Sequence, residues 1–111
     1  MELEEIYERL SSLELPVAYL KFNSPQELPF MVYYEGGTDI RGADGYNMIR
    51  ITNIVIELYS DIKRPELERQ IEELFRDTEI MKLPDTYLDG EKMFMTSFSF
   101  ETIQYIEEEK P

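Results

Sequence analysis

A two-layer α+β domain with a mostly antiparallel, four-stranded sheet is the fold that this 111-residue sequence predicts. Four runs rich in β-branched and aromatic residues have the composition of strands. Two further segments have the periodicity of amphipathic helices. Because a helix with one apolar stripe must bury it against another element, we expect a crossing helix and an N-terminal helix packed on the sheet.

The first helical segment is 2–13, and the second begins at Pro65 and ends near Asp77. The apolar face of the first consists of Leu3, Ile6, Tyr7, Leu10 and Leu13. The stripe of the second consists of Leu67, Ile71, Leu74 and Phe75. Pro65 suits the first turn, where its missing N–H needs no partner. We expect the second helix to cross one sheet face. The first is expected to be a core helix that covers a sheet edge or face, and the alternative is a docking arm.

The four predicted strands are 17–22, 30–35, 48–60 and 91–104, with a short extended piece between the second helix and the last strand. In the third strand the apolar alternation changes phase, from Ile49 and Ile51 to Ile54 and its successors. Because side chains alternate strictly along a strand, this change predicts a bulge near Thr52 and Asn53. The alternative is that both faces of the strand are apolar along part of its length.

The segment 36–47, GGTDIRGADGYN, contains four of the five glycines in the chain. It is too long for a tight hairpin turn and too polar to be buried. It therefore predicts a surface loop between two strands.

Composition limits the classes of function. The length predicts a single domain, 1–111. The formal net charge is −13 and the pI is about 4.3, so specific binding to nucleic acid or to anionic lipid is not expected. The chain has no cysteine, no apolar run of the roughly 20 residues that span a bilayer, and an acidic N-terminus unlike a secretion signal. We expect a soluble protein made in the cytoplasm.

The sequence offers little chemistry for catalysis. It has no histidine and no cysteine, which removes the commonest general base and the commonest soft nucleophile. Asp39 and Asp44 lack the ligand spacing of a calcium loop, and no phosphate-binding glycine motif is present. The pair Glu57 and Asp61 is the best candidate for an acid–base dyad. We expect no enzyme, no cofactor and no metal.

Apolar side chains are in excess on the predicted strands. The chain has six Met, eight Tyr and six Phe, many in strands that are apolar on both faces. One helix covers only one face of a sheet, and a soluble monomer rarely exposes a large apolar patch. Met, Tyr and Phe are enriched at protein interfaces. We therefore expect self-association, unless the first helix covers the second face.

Five pieces follow one another along essentially the whole chain: the short acidic helix, LPVAYLKF, LPFMVYYEGG, NIVIELYSDIKRPELERQIEELF and TYLDGEKMFMTSFSFE. The last piece contains the motif Tyr87, Glu91, Met93 and Phe94. In this order the pieces resemble the tail-completion, or tail-terminator, proteins of long-tailed bacteriophages and prophages.

The resemblance implies a structural role. Such proteins form a homo-oligomeric ring, expected to be a hexamer, at the head-proximal end of the tail tube. The ring ends tube growth and joins the tail to the head connector, while DNA passes through its lumen without specific binding. The implied partners are other copies, the tail-tube protein and the connector. The implied location is the virion tail after assembly in the host cytoplasm, or the cytoplasm for a prophage product.

The segment 36–47 is the expected inter-subunit or connector-facing arm, since elements that order on assembly are often polar and glycine-rich. The expected interface residues are Tyr33, Gly36, Gly37, Asp39, Arg41, Asp44, Tyr46, Met93 and Met95. Two alternatives stay open. The acidity also suits an inhibitor that mimics nucleic acid, and Glu57 with Asp61 suits a small enzyme.

Overall fold

One sheet and two helices make up the fold in the computed structural model, which describes residues 1–43 and 47–107. The elements in chain order are α1 (Leu3–Ser11), β1 (Val17–Tyr19), β2 (Phe30–Ala43), β3 (Asn47–Ser60), α2 (Pro65–Leu74), β4 (Met81–Lys82), β5 (Thr86–Leu88) and β6 (Met93–Glu107). The strand order is β1-β2-β3-β6-β4, and β5 also pairs with β6.

The α+β class and the mostly antiparallel sheet are confirmed, because β1 with β2 is the parallel pair and the other pairs are antiparallel. The predicted number of four strands is wrong, since the sheet has six. The additional strands, β4 and β5, are only 2 and 3 residues long. Segments of that length are too short to show a periodicity of their own.

The three long strands β2, β3 and β6 form an extended ribbon. They are 14, 14 and 15 residues long and pair along almost their whole lengths. At roughly 3.3 Å per residue, each is longer than either helix, and the molecule measures 55 × 28 × 24 Å. We call residues 37–43, 47–53 and 101–107 of these strands the distal ribbon.

The prediction of a surface loop over 36–47 is wrong. Residues 36–43 continue β2, and β3 already begins at Asn47. The glycines indicated a loop, but Thr38, Ile40 and their neighbours pair regularly with β3. Cross-strand pairing thus decides the conformation here more than the local glycine content does.

The sheet has an irregularity, but in β2 rather than in β3. The register between β2 and β3 shifts between Glu35 and Gly37, opposite Asn53. The pairing of β3 with β6 is regular throughout. The predicted bulge within β3 is therefore wrong, and Ile49 and Ile51 belong to the face opposite that of the buried residues.

Both helices lie on the same face of the sheet, which we call the core face. The core unites helix residues and sheet residues: Ile6, Leu10, Met31, Tyr33, Ile54, Ile56, Leu58, Ile71, Phe75, Phe98 and Phe100. The predicted apolar stripes are confirmed for Ile6, Leu10, Ile71 and Phe75, whereas Tyr7 is largely exposed. The prediction that α1 is a core helix is confirmed, whereas the option that it covers the second sheet face is wrong.

Arg9 explains why α1 lies beside α2. Its guanidinium donates hydrogen bonds to the carbonyl of Leu74 at 2.8 Å and to the carboxylate of Asp77 at 2.7 Å. It also lies 5.5 Å from the centre of the Phe75 ring, which is cation–π distance. These contacts fix α1 to the C-terminal end of α2.

Within the described part of the chain, no helix is long and apolar enough to cross a membrane.

A charged side chain fixes the other end of α2. Glu68 is only 2% exposed. Its carboxylate accepts a hydrogen bond from Lys63 at 2.9 Å and forms an ion pair with Lys82 of β4. Lys63 also donates to Asp85 at 2.6 Å, and Asp85 accepts a bond from the hydroxyl of Thr96. This cluster joins α2 to the β4–β5 edge of the sheet.

Candidate functional site

The sheet face opposite the helices is the candidate site, and we call it the open face. Strand alternation and the pairing register assign it the side chains of Phe30, Val32, Tyr34, Asp39, Arg41, Ile49, Ile51, Asn53, Val55, Glu57, Tyr59, Met93, Met95, Ser97, Ser99, Glu101, Ile103 and Tyr105. No helix of the described chain packs on this face, because both belong to the core on the other side.

Glu57 is at the centre of the open face. Its carboxylate accepts hydrogen bonds from the hydroxyls of Tyr59 at 2.7 Å and Tyr34 at 2.9 Å. Burial, followed by these bonds to Glu57, raises the pKa of both tyrosines. Among the described residues no Lys or Arg forms a salt bridge with Glu57. A carboxylate held by two phenols is thus the polar centre of a largely apolar surface.

The predicted dyad of Glu57 and Asp61 is not assembled. Asp61 forms an ion pair with Arg64 at 2.7 Å, and this bond holds the pKa of Asp61 below its ordinary value. Glu57 instead contacts the two tyrosine hydroxyls. Lys63 and Arg64, which could have neutralised Glu57, have partners elsewhere.

Aromatic side chains cover one end of the open face. The Phe30 ring stacks on Tyr59 with centroids 5.0 Å apart, and Phe22 packs edge-on against Phe30 at 5.4 Å. Phe22 lies in the connection between β1 and β2. The face is therefore screened near β1 and is open from Tyr34 and Val55 towards the distal ribbon.

The distal ribbon exposes large apolar side chains. On the open face, Ile103 is 53% exposed and Tyr105 is 77% exposed. On the other side of the ribbon, Ile40 is also half exposed. On the open face no helix covers the ribbon, whereas on the core face the start of α1 reaches it.

The structure separates the predicted interface residues into different places. Met93 and Met95 lie on the open face and are half-buried, and Asp39 and Arg41 lie exposed on its distal ribbon. Tyr33 does not belong to this face. It is 7% exposed in the core, where its ring packs against those of Tyr7 and Tyr19.

The predicted glycines have a conformational role. Gly36 and Gly37 form the irregularity of β2, and Gly37 has a φ of 156° that residues with a side chain rarely adopt. Asp44 and Tyr46 lie outside the described residues. Of the predicted set, Asp39, Arg41, Met93 and Met95 share one face, with the two charged residues at its distal end and the two methionines at the other end.

The sequence analysis did not identify Ile103 and Tyr105 as exposed residues of the open face. The last strand was predicted to end at 104, whereas β6 continues to Glu107. Continuing the period-two alternation from Glu101 through Ile103 to Tyr105 would have placed all three on one face.

A cleft of about 280 Å³ lies on the core face, between the start of α1 and the distal ribbon. Glu2, Glu35 and Arg50 contribute to its walls, and Gln104 donates a hydrogen bond to Glu2 at 2.6 Å. Its lining mixes acids, a cation and threonines. Over residues 1–43 and 47–107, no group of three potential metal-ligating side chains is present.

Comparison with known proteins gives a likeness of fold. No protein-family description matches the sequence, and no curated protein does. A solved structure of the virion of a native gene transfer agent particle contains a similar chain, with a TM-score of 0.55 and 12% identity. The match covers 86% of this chain and 88% of that chain. The protein therefore shares its fold with a chain of that particle over most of both lengths.

Proposed function

We propose that this protein is a structural subunit of a phage or prophage tail, a tail-completion protein that forms a ring at the head-proximal end of the tail tube. In this role it ends tube growth and joins the tail to the head connector. It acts by assembly and not by catalysis. The observation that carries the proposal is the open face, which the helices of the same chain leave without a second layer.

The composition of the open face suits a contact with protein. Tyr34, Val55, Tyr59 and Met95 are half-buried side chains of types that either pack well in sheets or are enriched at interfaces. Covering them would remove apolar area from water, at roughly 25 cal/mol per Å². A second copy of the chain is the partner that a ring requires.

Glu57 sets a condition on that partner. Its carboxylate has two hydroxyl donors and no cation among the described residues. Burying a charge without a counter-charge is costly, so a partner that covers Glu57 must supply a cation or leave water beside it. The face therefore suits a specific, partly polar contact better than indiscriminate apolar aggregation.

Two further observations support the proposal. The fold is shared with a chain of a virion, which is an assembly of many protein subunits. The net charge of −13 suits a ring through which DNA passes, since like charge opposes retention of the DNA. A hexamer is the expected ring, by resemblance to tail-completion proteins.

The test is the assembly of the matching tail-tube protein with and without this chain. We expect purified tube protein alone to form tubes of unlimited length. Added subunit should stop growth and appear by electron microscopy as a ring at one tube end. Tubes that grow to the same lengths in both samples, with no ring bound, would contradict the proposal.

A further inference from the structure

The distal ribbon has two strand edges with no partner strand in the described chain. β1 pairs with β2 only at residues 31–33. β4 and β5 pair with β6 only between residues 93 and 99. The outer edge of β2 over 36–43 and the outer edge of β6 over 100–107 therefore extend beyond every neighbouring strand, and the two stretches have the same length.

The direction of the backbone groups on β2 follows from its contacts near β1. The carbonyl of Tyr33 accepts a bond from the N–H of Leu20 at 2.8 Å, and the N–H of Glu35 donates to the Tyr19 hydroxyl at 3.2 Å. Backbone groups of alternate residues point to the same side of a strand. Because the irregularity at Gly36 shifts this alternation by one residue, the outward groups of the distal part belong to Thr38, Ile40 and Gly42.

The same reasoning applies to β6. The N–H of Leu83 donates to the carbonyl of Ser97 at 2.9 Å, which shows that the odd-numbered residues direct their backbone groups away from β3. The regular pairing of β6 with β3 extends this pattern to Glu101, Ile103 and Tyr105. Each edge thus presents a row of donors and acceptors.

Each edge has only part of the usual protection against pairing. Exposed edge strands are normally blocked by proline, by charged residues such as lysine, by a bulge or by a covering segment. β2 has its irregularity at Gly36, and residues of the segment 77–81 line clefts beside Glu101 of β6. The stretch 36–43 and the stretch 100–107 contain no proline and no lysine. Both contain β-branched residues, among them Thr38, Ile40, Thr102 and Ile103. These are edges that can accept another strand.

We propose that the β2 edge of one copy pairs with the β6 edge of the next copy, so that the distal ribbons form one continuous sheet around the ring. The inference rests on the proposed function, because it names the contact that closes that ring. β2 and β6 are both antiparallel to β3 and hence parallel to each other. In cyclic symmetry each copy keeps this orientation, so the new pair is parallel.

Charge and geometry favour a second copy as the occupant. On the open face the β2 edge carries exposed Arg41, and the β6 edge carries exposed Glu101. Across β3, Arg41 is level with Tyr105, so a stagger of four residues between neighbouring copies would bring Arg41 opposite Glu101. A two-fold dimer would instead pair each edge with itself and place Glu101 near its own copy, while leaving the second edge open.

Disulfide cross-linking tests the junction directly, since the chain has no cysteine of its own. Arg41→Cys is combined in turn with Glu101→Cys, Ile103→Cys and Tyr105→Cys, in full-length protein assembled on tail tubes. We expect mild oxidation of one of the double variants to give a covalent ladder up to the full ring, because paired residues on one sheet face come within disulfide reach. The corresponding single variants should remain monomers on a non-reducing gel.

A second pair of variants tests the edge without thiols. Ile40→Pro removes an N–H that points away from β3, so the fold should persist while ring formation is lost. Ile40→Ala keeps that N–H and should assemble like the original chain. Circular dichroism verifies that both variants are folded.

The outcomes separate the two proposals. In one outcome the rings cap tubes, no double variant cross-links and Ile40→Pro assembles normally. That result would overturn the edge contact and leave the proposed function intact. Single cysteine variants that cross-link as dimers would overturn it in favour of two-fold pairing. Cross-links to the tube protein alone would overturn it in favour of that partner. Failure of the unmodified chain to cap tubes would overturn both proposals.

Discussion

At the scale of single residues, the buried carboxylate of Glu68 is the strongest constraint on α2. It lies in the first turn of the helix, where an acid is favoured by the helix dipole, and it contacts Lys63 and Lys82. The hydrogen bonds that Lys63 donates, first to Asp85 and then to Glu68, raise the pKa of Lys63. Lys63 therefore keeps its positive charge over the neutral range, and its bonds to Glu68 and Asp85 hold the helix against the sheet edge.

We expect Glu68→Gln to lower the free energy of unfolding by about 2 kcal/mol, since bonds to charged groups are worth roughly 1.5–3 kcal/mol. This loss of stability is smaller than the loss expected on breaking a fully buried ion pair, because both lysines are partly exposed and can return to water. Urea unfolding measures it. The control is Glu72→Gln, at an exposed position of the same helix, which should change stability by less than about 0.5 kcal/mol.

Asp85 makes the free energy of unfolding depend on pH in the acid range. Its hydrogen bond with Lys63 lowers its pKa relative to the unfolded chain, where Asp has a pKa of about 3.9. A lowered folded-state pKa adds stability above the unfolded value, and this contribution is lost as the pH falls through the folded value. We therefore expect the free energy of unfolding to decrease as the pH is lowered below about 4.

Asp85→Asn should make that fall shallower, as followed by urea titrations between neutral pH and pH 3. Asp89→Asn, in an exposed turn, is the control and should keep the original slope. An unchanged slope in Asp85→Asn would show that the ion pair with Lys63 does not persist in solution.

The sequence predicted the apolar residues of the interior better than the charged ones. Apolar residues at a spacing of 3.6 are predicted to be buried, and Ile71 and Phe75 are buried. A charged residue is predicted to be exposed, whereas Glu68 is buried. Its burial is compensated by Lys63 and by Lys82, which the sheet edge brings beside it. That neighbour is determined by tertiary structure and leaves no local signal.

At the scale of elements, the irregularity in β2 depends on two glycines with different requirements. A Cβ on Gly36 would come within 2.9 Å of the Asn53 side chain and 3.0 Å of that of Val55. Gly37 has open space around it, but its φ of 156° is one that a side chain rarely permits. Steric contact thus restricts the first position, and backbone conformation restricts the second.

Gly37→Ala should destabilise the protein by about 1–3 kcal/mol, the usual cost of a residue held in a sparsely populated backbone conformation. Gly42→Ala is the matched control, because it lies in the same strand with open space and no positive φ. It should be neutral within about 0.5 kcal/mol. Equal melting temperatures for the two variants would mean that β2 adopts another conformation at Gly37.

Both helices, β1, the first part of β2, β3 and β6 could be located from the sequence, because their apolar and β-branched residues are typical of helices and strands. The distal part of β2 could not, since Gly36, Gly37 and Gly42 are typical of loops. Its pairing with β3 becomes evident only when Thr38 and Ile40 are aligned with the partner strand. Non-local pairing outweighs local preference in such a segment.

At the scale of the whole molecule, the sequence could not decide which sheet face each helix covers. Both helices have an apolar stripe, and a stripe shows only that a helix is packed. The deciding contacts are tertiary, since Ile6 of α1 and Ile71 of α2 are buried in the same core. The ion pair of Arg9 with Asp77, far apart in the chain, adds a link between the helices and lowers the pKa of Asp77. The second sheet face is left open as a consequence.

That open face is the central element of the proposed role, and Met95 is a half-buried residue on it. The most direct measurement is sedimentation of two folded variants with tail tubes, Met95→Asp and Gln70→Asp. Each adds one acid, on the open face and on the exposed side of α2 respectively. We expect Gln70→Asp to form tube-bound rings like the original chain and Met95→Asp to form them at least about ten-fold more weakly, the effect of about 1.4 kcal/mol. Equal recovery of both variants in rings would contradict the account.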